Sequence, residues 1–271
     1  MLHTIDFNSY DHNFCESTIY SNNQHPEYLN SLSSLFITFI GINALFRPHI
    51  HFLLRMLYSS LAVNGITSCL YHYNNNIGWG LLDRMSMILI AFSSISLFLT
   101  NLDPFLTIYK CKRRILINRI INLLLIIYFT SLFTVAGLHM ETLFNIMFGL
   151  FLSTLILFMY LINKHYYKLE IPYKLVILGW KGCGYIIISG LFWIITETLC
   201  HQYFIIKFML GHVWWHLFVS YGGYLISLLP TYLFLQNYQI KNMLPIMIEY
   251  DKFNIPYLTF YKTNNLHSTR V

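Results

Sequence analysis

Charge is what this chain has least of. Charged residues make up 10% of its 271 residues against 56% hydrophobic ones, and its mean hydropathy is +0.53. A soluble domain carries roughly 25% charged residues to wet its surface, so an ordinary water-soluble fold is excluded. Clustered basic residues are missing too. The formal charge is +6, but Lys and Arg fall between apolar runs and not on one polar face, which argues against a nucleic-acid partner. The opening MLHTIDFNSYDHNFCESTIY has no basic stretch followed by an apolar core and a small-residue cleavage site. No removable signal peptide is therefore expected, and the first apolar run should be retained. Repeats and long low-complexity linkers are also absent, and the short connections between apolar runs leave no room for a second domain.

What is present is a series of apolar runs, each long enough to cross about 30 Å of hydrocarbon as a helix. Seven are expected, at 29–46, 52–72, 80–100, 116–137, 142–163, 174–196 and 208–235. The fold class is an all-α membrane protein, a seven-transmembrane helix bundle. The first run is the least apolar, and its Asn30, Asn43 and serines should face the bundle interior. Of the 17 basic residues, all but Arg84 and Lys207 fall in or beside the loops after spans one, three and five and the tail. Before span one there is no Lys or Arg, only the acidic Asp6, Asp11, Glu16 and Glu27 among charged residues. By the positive-inside rule the N-terminus is luminal and the C-terminus cytosolic. The chain then divides into a luminal arm, 1–28, the helical domain, 29–235, and a cytosolic tail, 236–271.

Two stretches carry chemistry. In SCLYHYNNNIGWGLLD, Ser68 and His72 are four apart and so share a helical face. The polar, Gly-containing run after them ends that helix and delivers Asp83 in the first turn of the next. In HVWWH, His212 and His216 repeat the i, i+4 spacing that lets two imidazoles on one face hold one metal ion. The orientation above places His72, Asp83, His212 and His216 at one depth, toward the luminal leaflet. Three imidazoles leave a fourth position open on zinc, where a water has its pKa lowered to about 7 and a carbonyl is polarised. Asp83 would serve as general base and proton shuttle. Ser68 would donate a hydrogen bond to the carbonyl oxygen as charge builds on it. A site reached from within the bilayer favours a long-chain lipid amide or ester. Taken singly, each residue has a plainer reading: a packed histidine, a back-bonded helix serine, a helix-start cap or ion pair for Asp83 beside Arg84, and interfacial aromatics for Trp214 and Trp215. Joint placement at one depth is what favours the metal.

SCLYH followed by LLDRMSM, and HVWWHLFVSYGGYL, resemble the alkaline ceramidase family, within the wider group of seven-helix membrane hydrolases that includes progestin and adiponectin receptors. CESTIY, PEYLNSLSS, ETLFNIMFG and GLFWIITETLC are similar but weaker, and the likeness runs from about Asn13 to Tyr224. It implies hydrolysis of ceramide to a sphingoid base and a free fatty acid, with His72, His212 and His216 as zinc (Zn2+) ligands, Asp83 as base and Ser68 as oxyanion partner. It further implies a calcium (Ca2+) site built from a D-W-C-E-x-N segment and a Glu before the first helix. Here that segment reads Asn13, Phe14, Cys15, Glu16, Ser17, Thr18, and the later acid is Glu27. Glu16 and Glu27 stand, but Asn13 replaces the Asp and Thr18 the Asn, so the calcium site should be weakened or lost. Asp11 is a candidate to compensate, and a solvated acidic arm is the alternative. In FWIITE the family's Asp falls on Thr196, with Glu197 as a substitute. Of the five cysteines only Cys15 and Cys200 fall on the luminal side, with Cys111 cytosolic and Cys69 and Cys183 inside spans. An oxidising lumen favours a Cys15–Cys200 disulfide, and the resemblance implies the same bond.

The expected partners are ceramide or a related long-chain lipid amide and the bilayer itself, with no obligatory protein partner and an endoplasmic reticulum or Golgi location. A non-catalytic, receptor-like lipid-binding protein of the same fold is the main alternative, although lipid binding alone requires neither Asp83 nor Ser68. A metal or proton transporter would place ionisable residues at mid-membrane depth, whereas Glu141 and Glu197 fall at span ends.

Overall fold

The computed structural model describes residues 6–9, 11, 14–19, 26–47, 52–100, 114–138, 140–242 and 246–260. Asn13, the basic run 110–113 with Cys111, Lys262 and Arg270 lie outside the described residues. Among those described there are seven α-helices: α1 (Tyr28–Leu45), α2 (Phe52–Asn74), α3 (Ile77–Thr100), α4 (Arg114–Gly137), α5 (Glu141–His165), α6 (Tyr173–Leu199) and α7 (Gly211–Asn242). All but α2 contain a segment long and apolar enough to cross a membrane. Helix α2 is diluted by Arg55, Asn64, Thr67, Ser68 and His72. It packs between α1 and α3, so most of that polar set is buried, where a lipid-facing helix could not keep it.

Small residues set the closest helix approaches, as apolar helices without a strong hydrophobic drive between them require. A Cβ on Gly65 would lie 2.4 Å from the Thr38 backbone nitrogen, and one on Gly41 2.5 Å from that of Ala62, which seats α1 on α2. Gly182 and Gly222 do the same for α6 and α7, each facing the other's carbonyl at 2.5 and 2.7 Å.

Several helix ends differ from the sequence expectation, most of them by one to three residues. Helix α3 begins at Ile77 and not at 80, because of the polar run only Asn75 and Asn76 lie outside the two helices. Asn75 ends α2 in the left-handed region at φ 50°, which Asn tolerates. Asn76 then caps α3, its Oδ1 accepting from the Trp79 backbone N–H at 2.9 Å. The last helix begins at Gly211 and not at 208, since 206–209 form a 3-10 turn closed by Leu210 at φ 51°. It also runs on to Asn242, past the expected limit of 235. Beyond it, in the segment read as a tail, β1 (Ile246–Tyr250) and β2 (Pro256–Phe260) form an antiparallel hairpin with Ile248 opposite Leu258. Ile255 and Leu258 are buried in the core, and the Tyr224 hydroxyl donates to the Pro256 carbonyl at 2.6 Å.

The hairpin is fastened to the C-terminal end of α1 by Arg47, which bonds Asp251 and lies 4.5 Å over the Tyr257 ring. Partial burial acts to raise the Asp251 carboxyl, but hydrogen bonds from the Ile255 N–H, Arg47, Asn43 and the Phe253 N–H hold it down to about 2. A group depressed in this way stabilises the fold only while ionised, so its contribution exists above the ordinary Asp value and is lost as pH falls through the native one. Asp251→Asn should melt lower by roughly a few degrees at neutral pH. The gap to the parent should close as pH falls from 3.8 to about 2. Thermal melts in one detergent across that range check this, and a gap of constant size would show that Asp251 acts through shape and not charge.

Candidate metal centre and active site

The two-residue corner between α2 and α3 turns the end of one helix directly onto the start of the next, so His72 near the end of α2 and Asp83 in the second turn of α3 stay together. The N-terminal arm closes over this corner. Its Ser9 and Phe7 carbonyls accept from the first amides of α3, Ile77 N–H at 3.0 Å and Gly78 N–H at 2.9 Å. Gly80 permits the approach, since a Cβ there would lie 2.7 Å from Asp11 Oδ2. Asp11 in turn accepts from the Tyr71 hydroxyl at 2.8 Å and lies 3.6 Å from the Arg84 guanidinium. Both contacts use Asp11 Oδ2 and tie the arm to α2 and α3.

His212 and His216 enter from the first two turns of α7, and the structure brings them to His72. Ring centroids are 4.7 Å apart for His72 and His212, 5.1 Å for His72 and His216, and 4.7 Å for His212 and His216. One nitrogen from each lies within 4.8 Å of the others, all three rings are buried, and the group could hold a metal ion. The outward nitrogens show which atoms face the shared space. His72 Nδ1 meets Glu27 Oε2 at 2.7 Å. His216 Nδ1 meets Ser33 Oγ at 2.9 Å, and that hydroxyl gives its own proton to the Asn30 carbonyl, so it accepts from the ring. With Nδ1–H donated outward, the Nε2 lone pairs of both rings are directed inward. Buried nitrogen donors of this kind, each oriented by an outer oxygen, fit zinc. His212 Nδ1 has two neighbours, Glu197 Oε1 at 3.5 Å and the Trp193 indole N–H at 3.2 Å.

Asp83 is outside the ligand group but lines the same cavity as Ser68 and the three histidines. That cavity is about 440 Å³ and is walled beyond the polar end by apolar side chains such as Leu57, Phe148, Leu155 and Trp215. The Asp83 carboxylate accepts from Asn64 Nδ2 at 2.9 Å and has Ser68 as a second side-chain partner. Ser34 donates to Ser68 Oγ at 3.1 Å. All five residues singled out from the sequence thus meet at one cavity, at the bundle end opposite the hairpin.

The arm residues read as calcium ligands are placed differently from one another. Glu16 takes the Leu29 and Asn30 amides at 2.7 Å each, so it satisfies the first N–H groups of α1. Glu27 accepts from the Phe14 N–H at 2.9 Å, from Asn30 Nδ2 at 3.2 Å and from His72. Thr18 donates its hydroxyl to the Cys15 carbonyl, and its own carbonyl accepts from Lys207 Nζ at 3.4 Å. The Phe14 ring packs edge-on to His212 at 4.4 Å and also touches His72. Burial pushes the Glu27 carboxyl up to about 7 against the pull of His212, Asn30 and the Phe14 amide, and burial likewise raises Glu16 against its two amides. Cys15 and Cys200 are joined, with Cα atoms 5.9 Å apart. Thr196 turns its hydroxyl onto its own helix at Phe192 and Trp193. The carboxylate that reaches the arm is Glu197, which accepts from the Cys15 N–H at 2.9 Å.

Sequence reasoning did not pick out Ser33, Asn64 or Trp193 as partners of the site. Only the expectation that the serines of α1 face inward pointed toward one of them. A family profile described as Ceramidase matches residues 8–259. No curated protein matches the chain.

Gly211 seats His212. A Cβ there would lie 2.0 Å from Thr196 Oγ1 and 2.6 Å from the Phe192 carbonyl, so any side chain pushes the first turn of α7 off α6. Gly211→Val should fold yet retain several-fold less metal than the parent after purification. Elemental analysis checks this, and a parental metal content would show that the α6–α7 contact does not set His212.

Proposed function

The chain belongs to the ceramidase family, and from that membership and the geometry of its site we propose that it is a zinc-dependent intramembrane amidohydrolase of the alkaline type, cleaving ceramide to a sphingoid base and a free fatty acid. The observation that carries this is the convergence of His72, His212, His216, Asp83 and Ser68 on one cavity whose remaining walls are mostly apolar. Cavities of ~300–1,000 Å³ with a few convergent polar groups are the usual form of a small-molecule site. The histidines are the zinc ligands, through Nε2. When bound, zinc supplies an activated water at neutral pH and polarises a carbonyl as a Lewis acid.

The protein groups do the rest. Asn64 fixes the Asp83 carboxylate so that one of its oxygens is available as general base for water. Water oxygen bonds to the amide carbon, the C–N bond breaks, and the proton held by Asp83 passes to the departing amine, giving a free acid and a sphingoid base. Ser68 donates its hydroxyl to the carbonyl oxygen as negative charge grows there. The apolar walls take a long alkyl chain and keep bulk water from the site.

All seven helices span the membrane, with the metal centre toward the luminal leaflet of the endoplasmic reticulum or Golgi. The asymmetric distribution of Lys and Arg supports this orientation. The Cys15–Cys200 pairing is in keeping with it, since a lumen is oxidising.

Purified protein should contain zinc and release fatty acid from ceramide. His216→Ala should lose both. Asp83→Asn should lower kcat by ~10²–10⁴ and Ser68→Ala by ~10²–10³, each with zinc content kept. Release of fatty acid at the parental rate by His216→Ala, or by protein stripped of zinc, sinks the reading.

A further inference from the structure

A buried carboxylate, Glu27, and a part-buried one, Glu197, meet the histidine cluster from outside, and neither is needed as a ligand or a base. Glu27 Oε2 lies 2.7 Å from His72 Nδ1, with Glu27 fully buried and His72 1% exposed. Glu197 Oε1 lies 3.5 Å from His212 Nδ1. Each uses its other oxygen to hold the arm, Glu27 through the Phe14 N–H and Glu197 through the Cys15 N–H. The arm is tied to the end of α6 through Cys15 and Cys200, so arm, carboxylates and rings form one connected set.

At His212 the geometry poses a choice. The Trp193 indole N–H, 3.2 Å away, can only donate. It is satisfied when Nδ1 is unprotonated, which puts the ring proton on Nε2 and denies that atom to a metal. Glu197 can only accept when ionised, and it favours the proton on Nδ1, which leaves the Nε2 lone pair for the ion. The two neighbours thus favour opposite tautomers of one ring.

We propose that Glu27 and Glu197 are positioning residues that hold His72 and His212 in the Nδ1–H tautomer, with Nε2 presented to the metal, and that the arm does this without calcium. The calcium half follows from the donors around the acids. The oxygens of Glu16 and Glu27 accept from the Leu29, Asn30 and Phe14 amides, Asn30 Nδ2 and His72. The Thr18 carbonyl has an ammonium, Lys207, beside it. N–H groups and a lysine supply the positive partners that a divalent ion would supply elsewhere, and Thr18 stands where a stronger oxygen ligand would be needed. The proposal rests on the zinc reading of the histidines.

The test is zinc retention by the full-length, detergent-purified chain, titrated against a zinc chelator over a pH series. Glu27→Gln and Glu197→Ala should weaken zinc binding by about 10–100-fold, the usual effect of removing a carboxylate behind a histidine ligand. Trp193→Phe should bind zinc at least as tightly as the parent. The double variant Glu197→Ala with Trp193→Phe should recover much of the loss, which a merely structural role for Glu197 would not produce. Glu16→Gln should lower the melting temperature and leave zinc affinity unchanged. Millimolar calcium should move neither melting temperature nor zinc affinity.

Parental zinc affinity in Glu197→Ala, or no recovery in the double variant, overturns the tautomer assignment, and this arm stands even where Glu27→Gln fails to fold. A calcium-dependent rise in melting temperature that is lost in Glu27→Gln overturns the calcium-free arm. Zinc-loaded parent that releases no fatty acid sinks the hydrolase reading and leaves the positioning roles intact. Active parent whose variants keep zinc at parental affinity does the reverse.

Discussion

A buried imidazole has two nitrogens, and in a bundle that excludes water each must find a partner or cost a few kcal/mol. Placing three such rings against one another concentrates that demand. The structure meets it by turning Nδ1 outward to an oxygen, Glu27 for His72 and Ser33 for His216, so that the remaining lone pairs share one small space. Much of the surrounding sequence is explained by this need. Helix α1, which the sequence marked as the least apolar span although α2 is less apolar still, carries Asn30, Ser31, Ser33 and Ser34 on its inner face, all buried. A helix of leucines would bury as much area and leave the rings without acceptors.

The arm adds an outer layer to the same demand. Its backbone amides at Phe14 and Cys15 neutralise the two carboxylates from the far side, which makes buried acids tolerable where the bundle is otherwise apolar. The ring of Phe14 covers His72 and His212, so the arm lids the cluster as well as supplying partners to its carboxylates. The opposite end of the bundle is fastened by different means, a hairpin held through Arg47, Asp251 and Tyr224. Chemistry and closure are thus kept at separate ends of the same helices, with the apolar cavity between them.

How far the sequence spoke depended on the distance between partners. Helix positions were legible because an apolar run of membrane length is a local property. The histidines were legible because i, i+4 spacing fixes a shared face before any tertiary contact forms. The partners of those residues were not, since Ser33 to His216 and Glu27 to His72 are contacts between helices far apart in the chain, and nothing local distinguishes them from any buried serine or surface acid. Trp193 was invisible for the same reason. The hairpin was missed because strands of five residues after a long polar helix end carry too weak an alternation to separate from a tail. The late start of α7 came from Leu210, a non-glycine residue in the left-handed region, where no turn signal in the sequence marks the boundary.

Asp83 shows how a small shift in a helix boundary changes the meaning of a residue. Had α3 begun at 80, a carboxylate in its first turn would have a sufficient structural purpose as a partner for unpaired amides. With the start at Ile77 those amides are already taken, by the Ser9 and Phe7 carbonyls and by Asn76 Oδ1. The neighbouring Arg84 reaches Asp11 of the arm, so the ion pair suggested by adjacency in sequence is directed elsewhere. Beside the Asp83 carboxylate lie Asn64, Ser68, the nearby charge of Arg84 and the cavity. A buried acid is costly to keep in a water-poor bundle and is weak evidence of a stabilising role. The position of Asp83 facing three imidazoles suits the proton transfer proposed for it, a task that a neutral isostere does not perform.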